Sequence, residues 1–221
     1  MSDSEKRQLP EGFPAAEQET EKILLDRLQA STTEDDYFRW LLFAVGFYRG
    51  IQKIDSAKAL LQLFLKSSTN PEQNAHCHLA LGQIATDEQR LEIAVGHFGA
   101  ALELKPGKKK LEYVLYNNMG YCLNGLGRHI EAERFCRQAL EIDWTRSSAY
   151  RNLGVSLDGQ GNVEAAAWAL VEATKVDATD ERARNLLKKL IAVNPSLIVQ
   201  CPWSIDALTT PATPDAKPTY V

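Results

Sequence analysis

The chain has 221 residues, 44% of them hydrophobic and 24% charged, with a formal net charge of −4, which is ordinary for a folded protein with one core or one extended stack. Its longest apolar run, residues 40–48 between Arg39 and Arg49, is far short of the roughly twenty residues a bilayer-spanning helix needs, so membrane insertion is not expected. Nucleic acid is not an expected partner either, since residues 1–36 hold ten acids against four bases, the rest is nearly neutral, and the one basic cluster, 105–110, reads as a solvated loop after a helix C-terminus.

In chain order, residues 1–14 read as a flexible acidic leader whose charges have no apolar core behind them, so neither a secretory signal nor an anchor is expected and the cytoplasm is the default location. Ile23, Leu24, Leu25 and Leu28 mark an N-terminal helix over 15–30. From about 36 to 71, Trp40, Phe43, Phe47, Ala57, Leu61 and Phe64 trace two apolar segments. The stretch from Tyr116 to Gly127, YNNMGYCLNGLG, is then nearly rewritten from Tyr150 to Gly161 as YRNLGVSLDGQG, an offset of 34 residues. Downstream, Ala132, Cys136 and Ala139 recur as Ala166, Leu170 and Ala173 at the same offset. An earlier copy, with Gly82, Ala94, Phe98, Ala101 and Pro106, stands 38 residues upstream of its match, so four residues are inserted around Lys108–Lys110.

Each copy carries helical periodicity twice, with Gly125 and Gly127 turning between the segments in the Tyr116 copy, which is a helix hairpin. A glycine inside a helix costs about 1 kcal/mol relative to alanine, so Gly82, Gly120 and Gly154 at one helix position need a reason. Close packing supplies it: opposite Ala94, Ala132 and Ala166, the bare glycine lets paired helices approach at the short end of the usual range of about 8–10 Å.

These residues resemble the tetratricopeptide repeat family, a 34-residue helix pair with an aromatic, adjacent Leu and Gly, then spaced Ala, aromatic, Ala and Pro. Tyr150, Leu153, Gly154, Ala166 and Ala173 fill the pattern in one copy, Tyr116, Met119, Gly120, Ala132 and Ala139 in another, and Leu81, Gly82, Ala94, Phe98, Ala101 and Pro106 in the first. His78 replaces the first aromatic, Cys136 and Leu170 the second, and Trp144 and Ala178 stand where proline is expected. The resemblance implies an all-α, right-handed α-solenoid of hairpins: a degenerate repeat at about 36–71, repeats at 75–108, 113–146 and 147–178, and an amphipathic capping helix at 179–193.

The resemblance also implies a concave wall built from the first helix of each pair that binds a peptide or protein segment. Its groove positions would be His76, Leu79 and Gln83, then Asn117, Asn118, Tyr121 and Asn124, then Ser148, Arg151, Asn152, Val155 and Asp158. Asn118 and Asn152 share one repeat place and could present donor and acceptor to a peptide backbone, as in the asparagine ladder of the O-linked N-acetylglucosamine transferase repeats, although Ala80 breaks the third rung. The alternative is that these amides satisfy neighbouring backbone groups or water. The family's carboxylate clamp for chaperone tails is not expected, because its places hold Leu79, Gln83, Asn118, Ser148 and Asn152. An adaptor, scaffold or assembly factor is the favoured function, and a dedicated secretion-type chaperone for an unassembled client the alternative.

No enzyme, cofactor or metal site is expected. His76, Cys77 and His78 diverge around one helix, His97 and His129 stand alone, and Cys77, Cys122, Cys136 and Cys201 form no CxxC pair and read as reduced filler. In the tail, 194–221, the apolar stretch 197–205 must be covered by folding back, by lying in a groove, or by a second copy, so a homo-oligomer through the tail is a candidate. The remainder is rich in Pro and Thr, and Thr219, Tyr220 and Val221 resemble a PDZ ligand.

Overall fold

The computed structural model describes residues 13–204 and 208, and every regular element among them is a helix. The expected leader, up to residue 12, and the Pro- and Thr-rich end, 209–221, lie outside the described residues. Two compact units divide the chain between Thr69 and Asn70.

The first unit contains α1 (Phe13–Ala30), α2 (Glu34–Gly50) and α3 (Ile54–Ser67). Thr33 caps α2 by accepting from the Asp36 backbone N–H at 3.2 Å, with Glu34, Asp35 and Asp36 in the positive first turn. Leu41, Ala44, Val45 and Tyr48 of α2 are buried, as are Ala57, Leu61 and Phe64 of α3. Gly46 and Gly50 face open space, so neither makes a close glycine contact in this hairpin. Helix α1 is fastened by Glu21, whose two carboxylate oxygens accept from Tyr48 Oη at 2.9 Å and Lys53 Nζ at 2.8 Å. Those two donors hold the Glu21 carboxyl below its usual range, Lys53 first, while burial pushes the Tyr48 phenol up to about 12.

The second unit contains α4 (Pro71–Asp87), α5 (Leu91–Glu103), α6 (Lys109–Gly125), α7 (His129–Ile142), α8 (Ser147–Gly159), α9 (Val163–Val176), α10 (Glu181–Val193) and the short α11 (Leu197–Gln200). Asn70 caps α4 ahead of Pro71 and accepts from the Glu72 and Gln73 N–H groups at 3.1 and 3.2 Å. Helices α4–α5, α6–α7 and α8–α9 are antiparallel hairpins, and each first helix also touches the next first helix: α4 meets α6, α6 meets α8, and α8 meets α10. The second helices make no comparable contact with one another, so this stack is tighter on its first-helix side and curves around it.

The repeat glycines sit where the sequence requires. A Cβ built on Gly120 would lie 2.5 Å from Cys136 Sγ and 3.4 Å from the Ala132 carbonyl, and one on Gly154 would lie 2.7 Å from Leu170 Cγ and 3.4 Å from the Ala166 carbonyl. On Gly82 it would strike the Phe98 ring. The glycine therefore accommodates the side chain one turn beyond the repeat alanine, and the core accepts Phe, Cys or Leu there, all buried.

The hairpin turns are alike. Gln52, Gln89, Gly127 and Gly161 have φ of 62°, 60°, 73° and 78°. The next residue's N–H in each case reaches back to the carbonyl of Tyr48, Ala85, Leu123 or Leu157 at 2.8, 2.8, 2.9 and 2.9 Å, which is the Schellman closure. Between repeats, the place where proline is absent is held by Asp143 and Asp177. Their Oδ1 atoms accept from the N–H and hydroxyl of Thr145 and Thr179 at 3.1, 2.6, 2.9 and 2.6 Å, an Asx turn replacing the stiffness of proline.

Two expectations are corrected. Lys109 and Lys110 do not lie in a loop: the inserted residues form an extra first turn on α6, which has 17 residues where α8 has 13. Helix α1 begins at Phe13, before the apolar pattern starts. The end of the stack is covered by Ala183, Leu187 and Leu190 of α10, then by Leu197 and Cys201, which turn inward while Ile198, Val199 and Trp203 stay exposed.

Two substitutions separate these devices. Gly154→Leu, forced into Leu170, should destabilise the protein by about 1–3 kcal/mol, whereas Gln89→Gly, relieving a left-handed residue, should stabilise it by about 1 kcal/mol. Urea denaturation followed by circular dichroism measures both, and a neutral Gly154→Leu would remove the close-contact explanation.

Candidate functional site

All twelve groove candidates fall in the second unit, on α4, α6 and α8, and the structure divides them by what they already touch. Asn152 is 7% exposed, and its Nδ2 donates to the Asn117 backbone carbonyl at 3.3 Å and to Asn117 Oδ1 at 3.1 Å. Asn124, two turns along α6 from Asn117, donates through Nδ2 to the Asn152 carbonyl at 2.8 Å, and its Oδ1 faces His129 Nδ1 at 3.2 Å. This amide network locks α6 to α8 and uses the donor end of the Asn152 rung inside the protein.

Ser148 and Arg151 are also engaged. Ser148 Oγ lies 2.9 Å from Tyr113 Oη, and the Arg146 guanidinium covers the Tyr113 ring at 4.7 Å. Arg151 pairs with Asp180, a buried carboxylate that also caps α10 by accepting from the Ala183 N–H at 3.0 Å. Because an ion pair and a helix cap share one carboxylate, the α8–α10 junction depends on it.

The others are differently placed. Asn118 and Gln83 make no side-chain hydrogen bond among the described residues, and both are partly exposed. Tyr121 is 51% exposed on α6, and Asp158 is exposed on α8. Leu79 packs against the core of the α4–α7 layer. His76 is half-buried; burial lowers its pKa, opposed by Glu72 and assisted by Lys108. Val155 and Asp158 line a pocket of about 350 Å³ whose other walls include Gly154, Leu170, Leu186, Lys189, Leu190 and Val193. This pocket is bordered by α8, α9 and α10, and its lining is apolar apart from Asp158, Lys189 and Asn194, the kind of lining that takes a side chain. Sequence reading missed Leu186, Lys189 and Val193 because it treated α10 only as a lid.

Sequence reading also set His97 apart, whereas the structure brings it to His78, with Nδ1 atoms 3.2 Å apart and ring centroids 5.5 Å apart. The repeat alignment held the signal: the same two places are Tyr116 and Phe135 in the next hairpin, stacked at 6.1 Å. Burial lowers the pKa of both histidines, and the charge of His78 lowers that of His97 further. The thiols of Cys77 and Cys136 are pushed up to about 12 by burial and those of Cys122 and Cys201 are raised, so none is a thiolate nucleophile at neutral pH. Among the described residues no group of three or more His, Cys, Asp or Glu side chains is arranged around a metal, and no helix is long and apolar enough to cross a membrane.

Residues 113–143 match the tetratricopeptide repeat family model. Among solved structures, the chain is similar to BtubC from P. vanneervenii, with 14% identity over 94% of this chain and 95% of that one and a TM-score of 0.67. It is also similar to YrrB, described as a TPR protein with an unusual peptide-binding site, with 17% identity over 90% and 99% and a TM-score of 0.54. The TPR domain of Arabidopsis OM64 is 20% identical over 55% of this chain and 97% of that domain, with a TM-score of 0.51. No curated protein sequence matches the chain.

Burial favours neutral His76, His78 and His97, so their folded pKa values lie below the unfolded value of about 6.5. The stability this confers is present above that pH and is lost as pH falls through the folded values. The urea midpoint should therefore drop between pH 7.5 and pH 5, and the joint replacement His78→Tyr with His97→Phe should flatten that drop; an undiminished drop would place the pH sensitivity elsewhere.

Proposed function

We propose that the chain, whose residues 113–143 match the tetratricopeptide repeat family model, is a protein-interaction module whose second unit binds an extended peptide segment along α6 and α8, as an adaptor or assembly factor. The observation that carries this reading is the pocket beside Val155 and Asp158, together with the half-exposed Tyr121 and with Asn118, which makes no side-chain hydrogen bond among the described residues. A volume of about 350 Å³ holds one large apolar side chain of a peptide. Tyr121 occupies on α6 the repeat place that Val155 occupies on α8, and offers half its surface as an amphipathic contact. Asn118, unpaired among the described residues, supplies both a donor and an acceptor to a peptide backbone. Asn152 then serves as the fixed support that holds α8 against α6.

YrrB supports a peptide as the ligand, since it is described as having a peptide-binding site on this fold. Cytoplasmic residence and a non-catalytic role belong to the same proposal, the second supported by the helical repeat fold and by thiols that stay protonated at neutral pH.

A phage-displayed peptide library selected on the full chain provides ligands for the test. Asn118→Ala and Tyr121→Ala should each weaken selected peptides by roughly five- to tenfold, the loss of about 1 kcal/mol per contact, with unchanged melting temperature. Asn152→Ala should instead lower the melting temperature. Unaltered affinity in both Asn118→Ala and Tyr121→Ala would reject this face as the binding surface.

A further inference from the structure

Helices α8 and α10, which wall the pocket of about 350 Å³, present charges of opposite sign. The charged side chains of α8 are Arg151 and Asp158. Arg151 is neutralised by Asp180, so Asp158, exposed at the pocket edge, is the charge that α8 offers. Helix α10 holds Arg182, Arg184, Lys188 and Lys189 against Glu181 alone, and Glu181 pairs with Arg184. Lys189 lines the pocket, and neither it nor Asp158 makes an ion pair among the described residues. The third polar residue of the lining, Asn194, donates its Nδ2 to the Leu190 carbonyl at 3.0 Å.

From these two walls we propose that the pocket selects a peptide of mixed charge, a selectivity that rests on the peptide-binding reading above. An apolar anchor side chain fills the pocket against Leu170, Leu186 and Leu190. A carboxylate residue on one side of the anchor pairs with Lys189, and a basic residue on the other side pairs with Asp158.

Repeat spacing puts Lys189 on the route of such a peptide. Tyr121, Val155 and Lys189 stand 34 residues apart on α6, α8 and α10, so the row that offers a ring and then a valine ends in a base. Along α10, Arg182, Leu186, Lys189 and Val193 share one face at i, i+4, i+7 and i+11, and Glu181 is not on it. Neighbouring helices pack about 8–10 Å apart, the span of about three extended residues, so flanking charges reach both walls from one anchor. An exposed ion pair contributes little in open water. An anchor that fills the pocket displaces water from between the two charges, and each pair then forms beside apolar walls, where the attraction is less screened. A segment acidic on both sides of its anchor meets Asp158, and one basic on both sides meets Lys189, so the same two residues reject uniformly charged segments.

The test selects a phage-displayed peptide library on the full wild-type chain and, in parallel, on Lys189→Glu and Asp158→Lys chains. Wild-type binders should carry an apolar or aromatic anchor with an acid on one side and a base on the other. Lys189→Glu should select a base in place of the acid, and Asp158→Lys an acid in place of the base. A wild-type-selected peptide should bind either variant about three- to tenfold more weakly and lose affinity as salt is raised. Binders that share an anchor but no charge pattern, or that both charge variants select unchanged, overturn the selectivity and leave the peptide-binding reading standing. A library that yields no binder, or binders indifferent to both Asn118→Ala and Tyr121→Ala, overturns that reading and the selectivity with it. A wild-type chain that sediments as a dimer and becomes monomeric in Lys189→Glu would assign the pocket to a second copy and also overturn the inference. The wild-type binder sequences are read without either variant, so the outcome does not depend on how the variants fold.

Discussion

Three hairpins of this protein depend on a missing side chain. At Gly82, Gly120 and Gly154 the first helix presents bare backbone to the second, and Phe98, Cys136 and Leu170 fill the space that a Cβ would occupy. That contact sets how near the paired helices lie, and their nearness sets the geometry of the stack. The first helices are left to pack on one another in a row, and the stack curves around the side where those contacts are made. Helix propensity alone argues against glycine at these places by about 1 kcal/mol each, so packing overrides the local preference at the same position three times.

The row of first helices divides its polar residues between internal ties and an outward face. Amides at Asn117, Asn124 and Asn152 tie α6 to α8, and Arg151 with Asp180 ties α8 to α10. Asn118, Tyr121 and Asp158 are left facing outward from the same helices. A wall whose internal bonds are satisfied is rigid, and a rigid wall loses little entropy when a peptide is laid against it. The pocket at α8 and α10 has a related origin: α10 closes the apolar end of the stack with Leu187 and Leu190 but leaves Leu186, Lys189 and Val193 bordering an unfilled space.

The hairpins were legible in the sequence because their cause is periodic: apolar spacing and small residues recur together at a fixed interval, while the turn glycines recur only in the last two hairpins, with Gln52 and Gln89 at the earlier turns. The site was legible only as a face. Repeat position tells which side of a helix a residue occupies, so the twelve candidates fall on the expected helices, but it does not tell which polar groups will find each other across a helix boundary. Asn118 and Asn152 are equivalent by position and differ because Asn117 lies opposite one, while Leu79 occupies the matching place for the other. The His78–His97 contact was visible in the alignment as a variant of Tyr116–Phe135, but only once those two aromatics are known to stack. Insertions carry least information of all: four extra residues around Lys108 could extend a loop or a helix, and here they extend α6.

The central claim is that the first-helix side of the second unit receives another polypeptide. The most direct measurement is a nuclear magnetic resonance titration of the isotope-labelled full chain with a selected peptide. Shifted amides are predicted to cluster at Asn118, Tyr121, Val155 and Asp158 and along the facing side of α10. Shifts confined to α5, α7 and α9, or to the first unit, would contradict that claim.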